Sequence, residues 1–125
     1  MADRTALDAL NASLSSASID EFLAHLAPGA VVWHNDDKVE MDAAENMKRV
    51  PALQQLLEGV AVDVVQVEPL EHGWLQRFVL RGTVRSSGRP FAAHNCIVMH
   101  VGDDGRVTRI DEYVDPTFGT QLGLT

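Results

Sequence analysis

The strongest candidate for a catalytic residue is Glu112, which lies in the last predicted strand. Side chains of a strand point alternately to its two faces, so Ile110, Glu112 and Val114 share one face. If these aliphatic neighbours mark the interior, desolvation raises the pKa of the carboxyl group toward values useful to a catalytic acid or base. Alternatively, Glu112 lies at an exposed rim or pairs with an arginine, and then its role is structural.

His34 and Asp36 form a second candidate pair for proton transfer. They lie two residues apart at an early predicted strand, so their side chains occupy the same face. A histidine beside a carboxylate can act as a base near neutral pH. The same residues also fit a polar surface turn, and their spacing does not decide between these interpretations.

Several side chains near these candidates could contact a ligand. Trp33 and Asn35 share the face opposite His34, and an aromatic ring beside an amide can hold the polar group of an apolar ligand. Asn95 shares a strand face with Ile97, which favours an inward position. The predicted ligand contacts are Trp33, Asn35, Trp74, Arg77, Phe78, Asn95 and Met99.

We predict neither a metal site nor a cofactor. His94, Cys96 and His100 share a strand face. The two histidines are nevertheless separated by about 20 Å of extended strand, which is too far to bind one ion. Cys96 has no neighbours that would mark it as a nucleophile. The sequence also contains no phosphate-binding glycine loop and no nucleotide-binding motif.

The elements that must position these residues begin with helices. Apolar residues recur at helical spacing through most of the first half of the chain. Pro51 should kink or split the last of these helices. The first expected helix follows the candidate caps Asp3 and Thr5, and the second runs from the Ser18 and Glu21 capping box to Pro28-Gly29. A strand over residues 30–35 comes next. The third helix then runs from the Asp42 and Glu45 box to Gly59.

From Val60 onward, the apolar pattern predicts four strands. Turn signals at His72-Gly73, at residues 86–88 and at residues 103–105 predict hairpins, so consecutive strands should pair antiparallel. Helices packed on such a sheet define the α+β class. Apolar residues occur on both faces of the later strands, and we therefore predict a homodimer in which a second copy covers the outer face of the sheet.

The composition is that of one domain over residues 1–125, of which 46% are hydrophobic. Cys96 is the lone cysteine, so an internal disulfide is impossible and a reducing compartment is favoured. The first eleven residues include charged side chains, which does not fit a signal peptide, and no apolar stretch is long enough to span a membrane. We therefore expect a cytoplasmic protein without a membrane partner. A formal net charge of -8 argues against binding to nucleic acid.

Three segments carry a family resemblance: residues 31–35, residues 105–115 and the ending Gln121-Leu122-Gly123. Together with the element order, they resemble the SnoaL-like polyketide cyclases of the nuclear-transport-factor-2-like superfamily. Relatives there include ketosteroid isomerases, scytalone dehydratases and limonene-epoxide hydrolases. The resemblance implies one SnoaL-like domain with a cone-shaped, curved antiparallel sheet packed on N-terminal helices, a cystatin-like α+β barrel. It also implies a deep hydrophobic pocket, a dimer and no cofactor.

The resemblance also bears on individual residues. Trp33, Asn35 and Glu112 match the aromatic residue, the asparagine and the final-strand acid of the limonene-epoxide hydrolases. Those enzymes have an Arg-x-Asp pair in a middle strand, and this chain has Arg77 without the aspartate. The pair of carboxylates with which those enzymes open an epoxide is therefore incomplete in this sequence. Arg77 could instead neutralise Glu112, bind an anionic substrate or lie on a solvated face.

Similarity to the cyclases favours His34, Asp36 and Asp115 as pocket residues, although an aspartate before Pro116 is also typical of a turn. Two functions follow. The first is a cofactor-free isomerase, cyclase, dehydratase or hydrolase that moves a proton on a small apolar metabolite. The alternative is a non-catalytic module for ligand binding or dimerisation. An open cavity containing Glu112 would favour the enzyme, and a cavity filled by aromatic side chains would favour the module.

Overall fold

A computed structural model of the chain describes residues 3–16 and 18–124. It has the predicted mixture of helices and strands. The helices are α1 (Thr5–Ser15), α2 (Asp20–Leu23), α3 (Ala43–Met47), α4 (Arg49–Leu56) and α5 (Phe118–Gln121). The strands are β1 (Leu26–His34), β2 (Glu40–Asp42), β3 (Leu57–Leu70), β4 (Gly73–Val84), β5 (Pro90–Val101) and β6 (Val107–Tyr113). The α+β class is therefore confirmed.

The six strands form one curved sheet in the order β2-β1-β6-β5-β4-β3. The three hairpins predicted between β3, β4, β5 and β6 are present, and all their pairs are antiparallel. Gly88 and Gly105 in two of these turns have φ of 71° and 82°, a left-handed conformation that favours glycine. The sheet is not closed, because β2 and β3 remain its edges.

One strand pair departs from the antiparallel expectation. β1 pairs parallel to β6, with His34 opposite Glu112 and Val32 opposite Ile110. A hairpin cannot join parallel strands, and here most of the chain lies between the two partners. This long-range pair brings the early acid and base candidates beside Glu112.

The second helix is much shorter than its sequence pattern predicted. The expected capping box at Ser18 does not form, since the Ser18 hydroxyl accepts a hydrogen bond from Asp20 N–H rather than from Glu21 N–H. The chain becomes extended at Leu26, which pairs with Val107 in the sheet. Pairing with β6 satisfies the backbone there, so tertiary structure overrides the local helical pattern.

The third predicted helix is split, as expected from Pro51. Asp42 begins α3 and accepts a hydrogen bond from the N–H of Glu45 at 3.0 Å, which confirms that cap. The break lies at Lys48 rather than at the proline itself. Proline offers no N–H to the carbonyl four residues earlier, that of Met47, and its ring crowds that carbonyl, so the helix is interrupted upstream.

The main core lies between the helices and the inner face of the sheet. Leu7 of α1, Phe22 of α2 and Met47 of α3 are almost fully buried against strand residues such as Val32 and Phe91. Burial of β5 alternates along most of the strand, and its odd-numbered positions face the core. The longest helix has 11 residues, and no described helix has the length and apolar character that crossing a bilayer requires.

Candidate active site

A cavity of about 480 Å³ lies between the inner face of the sheet, helices α3 and α4, and the segment that follows β6. Its lining is predominantly apolar, with contributions from Leu53, Phe78, Ile97, Ile110 and Phe118. Such a volume suits a small molecule. The polar and charged residues that line it are His34, Asp36, Asn46, Arg49, Asn95, Glu112 and Asp115.

Glu112 lies on the cavity wall, on the same inner face as Ile110 and Val114. Its side chain is 28% exposed. Burial raises the pKa of the Glu112 carboxyl group above its ordinary value, and the nearby charge of Asp36 acts in the same direction. Electrostatic interactions with His34 and Arg49 oppose this effect without reversing it. Glu112 thus has the environment expected of a carboxyl group that gains and loses a proton.

His34 is the partner that the fold places beside Glu112. Its Nε2 lies 3.8 Å from Oε1 of Glu112, slightly beyond hydrogen-bonding distance. The parallel register of β1 and β6 sets this separation, because the two residues are directly opposite one another. Only 8% of His34 is exposed. A small movement of either side chain would allow a proton to pass between them.

Asp36 lines the same cavity but does not form the expected pair with His34. Its Oδ1 accepts a hydrogen bond from the N–H of Asp37 at 2.8 Å. The carboxylate facing His34 is therefore that of Glu112, which comes from a strand distant in sequence. Asp36 acts on the site through its charge.

Asp115 also lines the cavity, and its carboxylate is held by neighbouring groups. Oδ2 accepts from the backbone N–H of His94, and Oδ1 accepts from the backbone N–H and the hydroxyl of Thr117. The bond from His94 and those from Thr117 lower the pKa of Asp115 below its ordinary value. These bonds fix the turn after β6, as expected for an aspartate before proline, and leave Asp115 ionised near neutral pH.

Asn35 and Asn95 hold the same backbone segment from two sides. Oδ1 of Asn35 accepts from the N–H of Val114 at 2.8 Å, and Oδ1 of Asn95 accepts from the N–H of Asp115 at 2.9 Å. Of these two amides, only Asn95 lines the cavity. The predicted placement of Asn35 in the cavity is wrong, because its amide oxygen instead binds the backbone just after the end of β6.

Trp33 and Arg77 lie on the outer face of the sheet, so their predicted placement in the cavity is wrong. Trp33 packs edge-on against Tyr113 with ring centroids 5.5 Å apart. Arg77 is exposed and donates to Oε1 of Gln66 at 2.8 Å. The reason is the pleat: the neighbouring inward positions of β1 are Val32 and His34, which leaves position 33 facing outward.

Two further predicted ligand contacts lie on the inner face but away from the main cavity. Trp74 donates from Nε1 to the carbonyl of Asp3 and lines a separate cavity of about 270 Å³. Met99 is completely buried in the core. Phe78 does line the main cavity. Of the side chains expected to fill a collapsed cavity, Trp33, Trp74 and Met99 lie elsewhere and Phe78 forms part of the wall, so the cavity is open.

Sequence reasoning missed Asn46 and Arg49, which line the cavity from α3 and α4. Oδ1 of Asn46 is buried without a hydrogen-bond partner in the described part of the chain. Arg49 is the only lysine or arginine among the described cavity residues. A signal existed, since positions 46, 49, 53 and 56 recur at helical spacing and Leu53 belongs to the apolar stripe of the predicted helix.

Within residues 3–16 and 18–124, no three His, Cys, Asp or Glu side chains are grouped so that they could hold a metal ion.

No protein-family model matches the sequence, and none of the curated proteins is significantly similar to it. Solved structures do match. IdmH from Streptomyces antibioticus, a proposed polyketide cyclase, matches with a TM-score of 0.79 and 21% identity over 94% of this chain and 96% of its own. A Catenulispora acidiphila protein with a ketosteroid isomerase-like fold, in complex with trimethylamine, matches with a TM-score of 0.79 and 14% identity over 99% and 96% of the two chains.

An NTF2-like protein from Anabaena variabilis matches with a TM-score of 0.73 and 14% identity, over 87% of this chain and 83% of its own. These likenesses define the fold. The chain has the nuclear-transport-factor-2-like fold that the sequence resemblance predicted, which is shared by SnoaL-like and ketosteroid isomerase-like proteins. Because one fold hosts unrelated reactions, function must be argued from the cavity.

Proposed function

We propose that the protein is a cofactor-free enzyme that transfers a proton on a small, mainly apolar molecule, in a reaction of the isomerase, cyclase, dehydratase or hydrolase type. One observation carries this proposal. The carboxyl group of Glu112 lies in an open, apolar cavity, with its pKa raised by burial and with His34 Nε2 only 3.8 Å away. Two proton-carrying groups at the wall of such a cavity are suited to general acid–base catalysis.

Glu112 would act as the base in its ionised form. A raised pKa makes the carboxylate more basic, so it removes a proton more readily than an ordinary glutamate. His34 would exchange a second proton with the substrate or with Glu112. A bound molecule that displaces water from these mainly apolar walls would strengthen electrostatic interactions among the reacting atoms.

The structural matches support this proposal at the level of the fold. IdmH is a proposed polyketide cyclase, and the Catenulispora acidiphila protein has a ketosteroid isomerase-like fold. The reaction of this chain is proposed from Glu112 and His34 rather than transferred from those proteins.

Deuterium exchange tests the proposal with a simple ketone in place of the natural substrate. The probe is 2-tetralone, an apolar bicyclic ketone with acidic hydrogens beside its carbonyl, incubated in D₂O and followed by proton NMR. The wild-type protein should accelerate exchange, and Glu112→Gln should abolish the acceleration while the protein remains folded. Glu58→Gln, at an exposed position of β3, is the matched control and should exchange at the wild-type rate.

Exchange that persists in Glu112→Gln would remove Glu112 from the mechanism. Binding of 2-tetralone without accelerated exchange by the wild type would contradict proton transfer and favour the non-catalytic ligand-binding module.

A further inference from the structure

Arg49 places a positive charge at the mouth of the main cavity. It lines the cavity and is exposed to solvent, so it lies where the cavity opens. Within residues 3–16 and 18–124, its guanidinium makes no hydrogen bond and no ion pair. By contrast, the neighbouring Lys48 pairs with Glu45 at 2.7 Å and does not line the cavity. The five N–H donors of Arg49 are therefore available to a bound molecule.

Asn46 lies one helical turn before Arg49 and lines the same cavity. The backbone stays helical through Lys48, with φ of -64° and ψ of -15°, so the spacing of three residues places Asn46 and Arg49 on one face. Oδ1 of Asn46 is buried without a hydrogen-bond partner in the described ranges. An acceptor of this kind costs free energy, which a donor would recover. The guanidinium of Arg49, turned from solvent toward the cavity, would supply that donor.

The charges around the cavity leave one favourable place for an anion. Arg49 opposes the rise in pKa that burial causes at Glu112, so its charge acts within the cavity as well as at the mouth. Asp36 and Asp115 also line the cavity, and their carboxylates repel a negatively charged group. A ligand anion is therefore stabilised beside Arg49, and the predominantly apolar walls receive the rest of the molecule.

We propose that the cavity binds an apolar carboxylic acid in its ionised form, with the carboxylate held by Arg49 at the mouth and the hydrocarbon part against the apolar walls. This inference rests on the proposed proton-transfer function and names its class of substrate. Two N–H groups of a guanidinium match the two oxygens of a carboxylate. A third N–H would reach Oδ1 of Asn46, which makes Asn46 a positioning residue for Arg49.

Two probes that differ in charge but hardly in shape test this inference, 2-naphthoate and 2-naphthamide. Titration calorimetry near neutral pH should show that the wild type binds the carboxylate more tightly than the amide. Arg49→Gln should reduce this preference by about 10-fold, the lower end of the effect of a hydrogen bond to a charged group, because the mouth is open to solvent. Added salt should weaken the wild-type preference, since it screens the ion pair.

Arg77→Gln is the matched control, because it removes the same charge from an exposed position on the outer face of the sheet. This variant should keep the wild-type preference. The inference is overturned if the wild type does not prefer 2-naphthoate, if Arg49→Gln keeps the preference, or if Arg77→Gln loses it equally.

Asn46→Leu tests the positioning role of Asn46. It should lower the preference of the wild type by about 3-fold, as expected for one lost hydrogen bond. In the Arg49→Gln background it should leave the preference unchanged, because Asn46 acts through that guanidinium. A purely structural defect would weaken the binding of both probes equally, and an unchanged ratio would overturn the role of Asn46.

Binding and exchange together separate this inference from the proposed function. Glu112→Gln should still prefer 2-naphthoate, because the base is not part of the anion site. Catalysed exchange of 2-tetralone by a protein without a preference for the carboxylate would overturn this inference and leave proton transfer standing. An Arg49-dependent preference, with 2-tetralone bound but not exchanged, would support the anion site and contradict proton transfer.

Discussion

Glu112 shows how one residue's chemistry depends on neighbours that come from other elements. Its inward direction follows from the pleat of β6, but its raised pKa arises from burial beneath α3 and α4 and from the charge of Asp36. His34 and Arg49 counteract that rise. The carboxyl group is therefore neither an ordinary surface acid nor half of a fixed ion pair.

Because the pKa of Glu112 is raised, we predict that the free energy of unfolding depends on pH. The folded protein binds this proton more tightly than the unfolded chain, whose glutamate titrates near 4.5. The free energy of unfolding should therefore fall as the pH rises from the unfolded-state pKa through the folded-state pKa of Glu112. Between these two pKa values the fall is about 1.4 kcal/mol for each pH unit. Glu112→Gln abolishes this loss, so its melting temperature should exceed that of the wild type increasingly as the pH rises.

Thermal melts of the wild type, Glu112→Gln and Glu58→Gln across this pH range measure the effect. Subtracting the wild-type curve removes contributions from other titrating groups. A difference between Glu112→Gln and wild type that does not depend on pH would show that the Glu112 pKa is not raised.

At the scale of elements, one reciprocal pair of amides links α1 to the sheet, in addition to the apolar packing of that helix. Nδ2 of Asn11 donates to Oε1 of Gln76 at 2.8 Å, and Nε2 of Gln76 donates to Oδ1 of Asn11 at 2.9 Å. Gln76 is completely buried on the inner face of β4. A buried amide is stable there because its partner satisfies both of its polar atoms.

Gln76→Leu should lower the free energy of unfolding by about 1–3 kcal/mol, because it leaves the Asn11 amide without its partner. The double variant Asn11→Leu with Gln76→Leu should recover part of this loss, since no unpaired amide then remains. Urea unfolding measures both values. Gln55→Leu, at an exposed position of α4, serves as the control and should change stability little. Equal stability of Gln76→Leu and Gln55→Leu would contradict the role of the pair.

The end of the sheet near the cavity is completed by side chains rather than by a strand. β6 ends at Tyr113, and the edge of β5 beyond that point is bonded by Asp115 and Gln121. Gln121 accepts from the N–H of Ala92 and donates to its carbonyl, as a neighbouring strand would. This arrangement holds the last turn and α5 against the cavity, which residues of both segments line.

For the whole molecule, we expect a homodimer that covers the outer face of the sheet. That face carries Val79, which is only 4% exposed, together with the half-buried Trp33, Cys96 and Val98. Tyr113 on the same face is 47% exposed. Trp33, Cys96, Val98 and Tyr113 remain partly exposed on this face, beside charged residues such as Arg77 and Asp111, and a second copy of the chain would cover them.

Sedimentation equilibrium should show a dimer for the wild type and a shift toward monomer for Val98→Glu, because a buried unpaired charge opposes association. Val39→Glu is the control, since Val39 is 53% exposed in the turn between β1 and β2. A wild-type monomer, or equal behaviour of the two variants, would contradict this surface as the interface.

Much of the fold could be predicted because its determinants are local. Alternating apolar residues and glycine-containing turns identified the four long strands, the pleat placed Glu112, Ile97 and Asn95 on inward faces, and Asp42 and Pro51 marked the start and the division of a helix. These features depend on residues a few positions apart, and their local pattern agrees with the final fold.

Tertiary structure alone decided which early residues meet Glu112. From the sequence alone, Trp33 and His34 are equally plausible neighbours of Glu112, but they lie on opposite faces of β1. Only the parallel register with β6 placed His34 inward, opposite Glu112. The same long-range pairing ended α2 early at the expense of its local pattern. Strand register and cavity shape depend on contacts between segments distant in sequence, and the local periodicity that determined the strands and their faces contains no information about those contacts.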